Sequence, residues 1–189
     1  PSPQERITFS PTAEEIAEVG IYHLSLAPDG IISFGQGCEG EPSLAAERIA
    51  EGIRQIRAVT QRGQINMNSN AGFPAGMRKI VDARLASLRV SIISARDKSY
   101  DAYYRASYPL DNVKESLRYA LDHGVYVSLN LLHFPGFTDR AEELAAWQAF
   151  FRALPVQMIQ MRNLNIDPTL FLDTMPEAVS APVGTRTFM

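Results

Sequence analysis

The sequence predicts an α/β fold in which parallel strands are joined by helices. Three observations carry the prediction. Short apolar runs alternate with amphipathic stretches, giving five strands with four helices between them. The repeating unit is roughly 30 residues, the length of a strand–helix–strand step. Glycine, asparagine and other polar residues gather just after the strands' C-terminal ends. Together these argue for parallel pairing through right-handed crossovers.

The elements follow in order. Residues 13–26 place Ile16, Val19, Ile21, Leu24 and Leu26 at roughly helical spacing, and Thr12 with Glu15 forms a capping box for that helix. Gly30 to Phe34 is the first strand, broken by the loop Gly35-Gln36-Gly37-Cys38-Glu39-Gly40-Glu41-Pro42. Ser43 opens a helix with Leu44, Ile49, Ile53 and Ile56 on one side. Gln64 to Asn68 is the second strand, and Pro74 suits the first turn of the helix through Met77, Ile80 and Val81. Leu88 to Ser94 is a β-branched strand, after which Tyr100, Tyr103, Tyr104 and Tyr108 pack over its end. Asp111 caps a helix carrying Val113, Leu117 and Leu121, with Gly124 at C′. Val125 to Leu132 is the clearest strand, bounded by Pro135-Gly136. Thr138 or Asp139 caps the next helix, whose Trp147, Phe150 and Phe151 sit at core spacing. Val156 to Arg162 is the last strand, and Asp167-Pro168 starts a short helix. Residues 1–175 read as one domain and 176–189 as a C-terminal tail of loop.

Composition bounds the function. The chain has 189 residues, 46% hydrophobic and 21% charged, so it can bury a core without staples. Its 18 basic and 21 acidic residues give a net charge of -3, which indicates neither nucleic acid nor a membrane surface as partner. No apolar run approaches the ~20 residues of a membrane span, and no leader is visible, so a cytoplasmic setting is expected. A single cysteine excludes an internal disulfide framework and any thiolate-only metal site built within the chain.

The strand ends carry the chemistry. Glycines and carboxylates follow the first strand, and Asn68-Ser69-Asn70 the second. Arg89, Ser91 and Ser94 lie on the third, Asn130 and His133 on the fourth, and Gln160, Arg162, Asn163 and Asn165 on or after the fifth. The C-terminal edge of parallel strands is where α/β folds bind ligands. Gly35 to Gly40 matches the letters of a dinucleotide loop, but Glu39 and Glu41 would then face a pyrophosphate. Two carboxylates suit a cationic group, such as an amino acid's ammonium. Cys38 beside a carboxylate reads as a bystander thiol. His23, His123 and His133 share no metal-ligand spacing, and no Ser/His/Asp constellation can be assembled.

In this order, the motifs resemble radical S-adenosylmethionine (SAM) enzymes. Glu39-Gly40-Glu41-Pro42 resembles that family's Gly-Gly-Glu-Pro motif, with its first glycine replaced. Asn68-Ser69-Asn70, Leu88 to Ile92, Asn130 through Pro135-Gly136, and Ile159 to Asn163 resemble the family's later strand ends, so the likeness covers residues 12–170. The resemblance implies an incomplete (β/α) barrel, here strands two to six of a partial TIM barrel with helices outside. It implies SAM bound beside a [4Fe-4S] cluster and cleaved to a 5′-deoxyadenosyl radical, with the protein positioning the reaction and excluding water. Glu41 and the backbone near Gly40 would hold the methionyl ammonium. Asn70, Ser91 and Asn130 would serve ribose or substrate, and Gln160 and Arg162 the adenine side. Cys38, Glu39, Asn68 and Arg89 complete the cofactor-binding candidates.

The departures from the family are equally specific. Its Cys-x-x-x-Cys-x-x-Cys cluster motif is not present, and Arg84 stands where relatives often end a helix with glycine, at a cost of about 1 kcal/mol if left-handed. The chain is therefore expected to be part of a longer enzyme, unable to hold the cluster or act alone. Its bare first-strand edge is expected to be covered by the N-terminal segment, a loop or a second copy of the chain. Two alternatives stand beside this. One is a non-catalytic module binding SAM or another small ligand; the other is a cofactor-independent barrel aldolase or isomerase using Glu39, Glu41 and His133.

Overall fold

In the computed structural model, which describes residues 8–35 and 40–188, helix α1 (Ala13–Leu26) opens the chain. The Thr12 side chain accepts from Glu15 N and the Glu15 side chain accepts from Thr12 N, so the expected capping box is present. Strand β1 (Ile31–Phe34) leads through the glycine-rich loop to a 3-10 turn, Pro42–Ala45, and helix α2 (Ala46–Val59). There follow β2 (Gln64–Ser69), α3 (Pro74–Asp82), β3 (Ser87–Ile92), α4 (Asp97–Tyr104) and α5 (Leu110–Asp122). The chain continues with β4 (Tyr126–His133), α6 (Ala141–Ala153), β5 (Met158–Asn163), α7 (Pro168–Thr174) and α8 (Thr185–Phe188).

The five strands among the described residues pair in parallel in the order β1-β2-β3-β4-β5. Sequential neighbours in a parallel sheet mean that every crossover advances in one direction, the winding of a barrel; with β1 and β5 left as edges, the barrel is incomplete. Strand alternation then separates two faces. Ile65 and Met67 of β2, Leu88, Val90 and Ile92 of β3, and Val127, Leu129 and Leu131 of β4 are buried in one cluster with Ile53, Ile56, Met77, Ile80, Leu117 and Trp147 of the helices. The intervening positions, Ser33, Asn66, Asn68, Arg89, Ser91, Ser128 and Asn130, form the open face.

Several helix starts differ from the sequence reading, each because another residue supplies the cap. Glu41, not a residue of the helix itself, accepts from Ser43 N and caps the 3-10 turn, leaving Leu44 exposed. Pro109 takes the N-cap position of α5, so Asp111 lies in its first turn and pairs with Lys114. Arg140 takes it in α6, while Thr138 Oγ1 accepts from Phe134 N and Asp139 Oδ1 from Gly136 N, closing the turn before that helix. Val19 and Leu26 face solvent rather than the core. Gly124 follows α5 at φ 73°, as a C′ glycine should. Arg84 is left-handed at φ 78° after α3.

Two elements lie outside the sequence reading. Helix α4 sets Tyr100, Tyr103 and Tyr104 on one face, where they pack into the core, and Ser99 is buried with them. The stretch after Pro176, expected as loop, is tied down and ends in α8. Arg140 Nη1 donates to Pro176 O, Ser180 Oγ accepts from Ala141 N, and Val183 N donates to Asp139 O. Among the described residues no helix is long and apolar enough to cross a membrane.

Candidate functional site

At the C-terminal ends of β1 to β5 the open face forms a cavity of about 560 Å3, lined by Gly35, Gly40, Glu41, Asn68, Ser69, Asn70, Arg89, Ser91, Tyr104, Asn130 and Arg162. Eight of the residues singled out from sequence thus meet in one place: Gly40, Glu41, Asn68, Asn70, Arg89, Ser91, Asn130 and Arg162. Gln160 pairs with Asn130 in the sheet register but does not line the cavity. Cys38 and Glu39 lie outside the described residues.

Glu41 organises the cavity's β1–β2 side. Its Oε1 accepts from Ser43 N at 3.0 Å and Ser69 Oγ at 2.6 Å, and its Oε2 from Asn70 N at 2.7 Å. The carboxylate therefore joins the glycine loop to the end of β2. Asn68 does the same one residue pair away, donating from Nδ2 to Gly35 O at 3.0 Å. Gly35 is required here: at φ 86° a Cβ would stand 2.1 Å from Asn68 O. Among the described residues nothing stands within 4 Å of where a Cβ at Gly40 would project, which leaves that backbone approachable from their side. Asn70 closes its own turn, Oδ1 accepting from Gly72 N at 2.9 Å.

The β3–β4 side is built differently. Asn130 Nδ2 donates to Ser91 Oγ at 3.0 Å, which leaves Asn130 Oδ1 buried with no partner among the described residues. The pair so presents an acceptor beside a hydroxyl that still has a proton to give, a match for a ligand hydroxyl. Buried polar atoms of folded proteins are almost always satisfied, and of the four without a partner among the described residues (Ser43 Oγ, Asn130 Oδ1, His133 Nδ1 and Trp147 Nε1) this is the one whose residue lines the cavity.

Tyr104 is the site residue the sequence reading missed. Its hydroxyl donates to Ser91 O at 3.1 Å, and burial, with Tyr103 and Tyr108 nearby, pushes its pKa up, so it stays a donor. Its helix is anchored by Glu143 of α6, fully buried, which accepts from Ser99 Oγ at 2.8 Å and from Ser94 Oγ and pairs with Arg96 at 3.4 Å. Ser94 thus serves this anchor. The only hint in the sequence was four tyrosines within one short stretch. His133 does not join the cavity: its Nε2 lies 3.2 Å from Thr185 Oγ1, its ring stacks on Phe188, and burial lowers its pKa despite Asp139. Strand parity puts it on the face opposite Asn130, so it and Glu41 cannot act on one substrate atom.

The described lining of the cavity suits a ligand that carries hydroxyls and a polar head group, as SAM does, and does not supply the ligands of an iron–sulfur cluster. The hydroxyl-matching pair suits a ribose, and the open backbone at Gly40 suits a closely held polar head group. A thiolate-held [4Fe-4S] cluster needs more than the one cysteine of this chain. Among the described residues no three His, Cys, Asp or Glu side chains converge on a metal position.

No family model and no curated protein matches the chain. Solved structures do. A radical SAM methyltransferase from Sphaerobacter thermophilus aligns over 96% of this chain and 54% of its own, at 16% identity and TM-score 0.61. Coproporphyrinogen III oxidase (HemN) from Escherichia coli, a radical SAM enzyme, aligns over 90% and 41%, at 15% identity and TM-score 0.56. HydG, a maturase of the [FeFe]-hydrogenase, aligns over 93% and 41%, at 17% identity and TM-score 0.57. At such identities the likeness is one of fold. The chain has the partial-barrel architecture of these proteins and spans about half of their length.

Proposed function

We propose that this chain is the SAM-binding portion of a radical SAM enzyme core whose cluster ligands this chain does not itself supply. The observation that carries the reading is the Ser91–Asn130 pair with its buried, unpartnered Oδ1, set in a cavity at the strand ends of a fold shared with radical SAM structures. SAM bound in a complete core of this kind supplies a carbon-centred radical for hydrogen abstraction. This chain's own residues bind and orient. Asn130 Oδ1 accepts from one ribose hydroxyl and Ser91 Oγ donates to the other. The backbone at Gly40, held in place by Glu41, accepts from the methionyl ammonium, so Glu41 acts through the loop that it shapes. Arg162, at the cavity's β5 side, faces the adenine end. Tyr104 closes one wall and keeps water off the ribose.

Calorimetry tests the reading. SAM binds the chain weakly, because the iron that ligates it is supplied elsewhere, and Asn130→Leu weakens that binding about tenfold. Unchanged binding by Asn130→Leu would remove the pair from the site and the reading with it.

A further inference from the structure

We infer that Arg89 holds the carboxylate of a second small molecule, one with an apolar body, seated on the open face beneath the SAM cavity. The inference rests on the reading above and deepens it, since it names the substrate class that such a core would act on. In the sheet register Arg89 lies between Asn68 and Ser128, one step deeper than the Ser91–Asn130 pair. It lines the upper cavity and also a second one, of about 620 Å3, which runs along the N-terminal half of the open face.

The charge balance of the two cavities argues for an anion. No acidic side chain among the described residues lines the lower cavity. In the upper one the only described carboxylate is that of Glu41, already engaged by three donors. Arg89 and Arg162 have no acidic partner among the described residues, and the described lining of the two cavities holds two arginines against the one carboxylate of Glu41, although the chain as a whole carries -3. Of the two, Arg162 lies nearer the C-terminal edge, beside Leu132, and lines the upper cavity alone, whereas Arg89 borders the lower cavity as well. Arg89 is therefore the cation within reach of a ligand seated there, and a guanidinium fork matches a carboxylate in two-pronged fashion.

The lower walls describe the rest of the molecule. Ile31, Tyr126 and Met158 are 61%, 45% and 43% exposed there, so apolar surface awaits cover. The polar groups between them largely satisfy one another: Asn66 Nδ2 donates to Ser33 Oγ and Ser87 Oγ to Asn66 Oδ1, both at 2.8 Å. What remains to attract a ligand is one cation above and apolar surface below. An amphipathic monocarboxylate fits both.

The test uses hexanoate and its neutral counterpart hexanamide, followed on the full chain by amide-proton and methyl NMR. Hexanoate is expected to shift the signals of Ile31, Ser128 and Met158, and to bind more tightly than hexanamide. Arg89→Gln weakens hexanoate about tenfold or more and leaves hexanamide as it was, while Arg89→Lys recovers part of the loss. Unchanged signals away from the cavity show that the variants fold. Equal binding of the two probes, no binding of hexanoate, or an Arg89→Gln variant that binds hexanoate as before would overturn the inference. SAM added to the same samples separates the two claims. Hexanoate bound through Arg89 in a chain that ignores SAM refutes the SAM reading alone, and SAM binding without hexanoate refutes this one alone.

Discussion

Removing the Glu41 carboxylate should loosen the loop on which the site is built, and the structure sets the size of the effect. In Glu41→Ala, Ser43 N, Ser69 Oγ and Asn70 N lose their shared acceptor, with contacts of 3.0, 2.6 and 2.7 Å. Hydrogen bonds to an ionised group contribute about 1.5–3 kcal/mol each, so the three together contribute at most about 4.5–9 kcal/mol. The carboxylate borders a cavity, and water entering there replaces much of what the amides lose, leaving a net cost of ~3 kcal/mol. A chain of this length shifts its melting temperature by about 2–4 °C per kcal/mol, so Glu41→Ala should melt about 6–12 °C lower. Glu41→Gln keeps the shape but turns an amide N–H toward one of the donors, and should fall between. The assay is thermal unfolding followed by circular dichroism. If Glu41→Ala melted within about 2 °C of the parent, the carboxylate would not be the joint between the β1 loop and β2.

Further outcomes follow from single features. Gly35→Ala should cost about 2–4 kcal/mol in urea unfolding, because its Cβ would meet Asn68 O at 2.1 Å with φ at 86°; a loss below about 1 kcal/mol would show that the loop can move aside. Arg84→Gly should instead stabilise by about 0.5–1 kcal/mol, since Arg84 is left-handed at φ 78°, and any loss would mean that its side chain contributes more than the strain costs. His133 is held neutral by burial, so as pH falls below about 6.5 the unfolded chain takes up the proton first and stability falls until the lowered folded-state pKa is reached. His133→Gln should therefore lose less melting temperature between about pH 7.5 and 5.5 than the parent, and equal losses would contradict the assignment.

Most of the architecture could be read from the sequence because strands buried under helices leave an alternation that no loop imitates. Val125 to Leu132 set Val127, Leu129 and Leu131 into the core and Asn130 onto the open face, and that parity places the site residue without further help. The helix starts were less legible. Thr138 and Asp139 are good capping residues by type, but both are used to close the preceding turn, a choice made by chain geometry that composition does not record. Helix α4 was less legible because its aromatic face, Tyr100, Tyr103 and Tyr104, spans little more than one turn, and its first turn is tied to Glu143, far along the chain, which accepts from Ser99 and Ser94. Tyr104 was expected over the end of β3, but not as part of the cavity lining. Glu41 was legible as a site residue but not in its role, since nothing in the sequence shows that Ser69 and Asn70 arrive to bind it.

The central claim, that the strand-end cavity is a SAM site, is tested most directly by mapping SAM onto the intact chain through its amide NMR spectrum. The account predicts shifts that grow with SAM and concentrate at Gly40, Asn70, Ser91 and Asn130. No shift at several millimolar SAM, or shifts gathered on the helix-covered face, would contradict it.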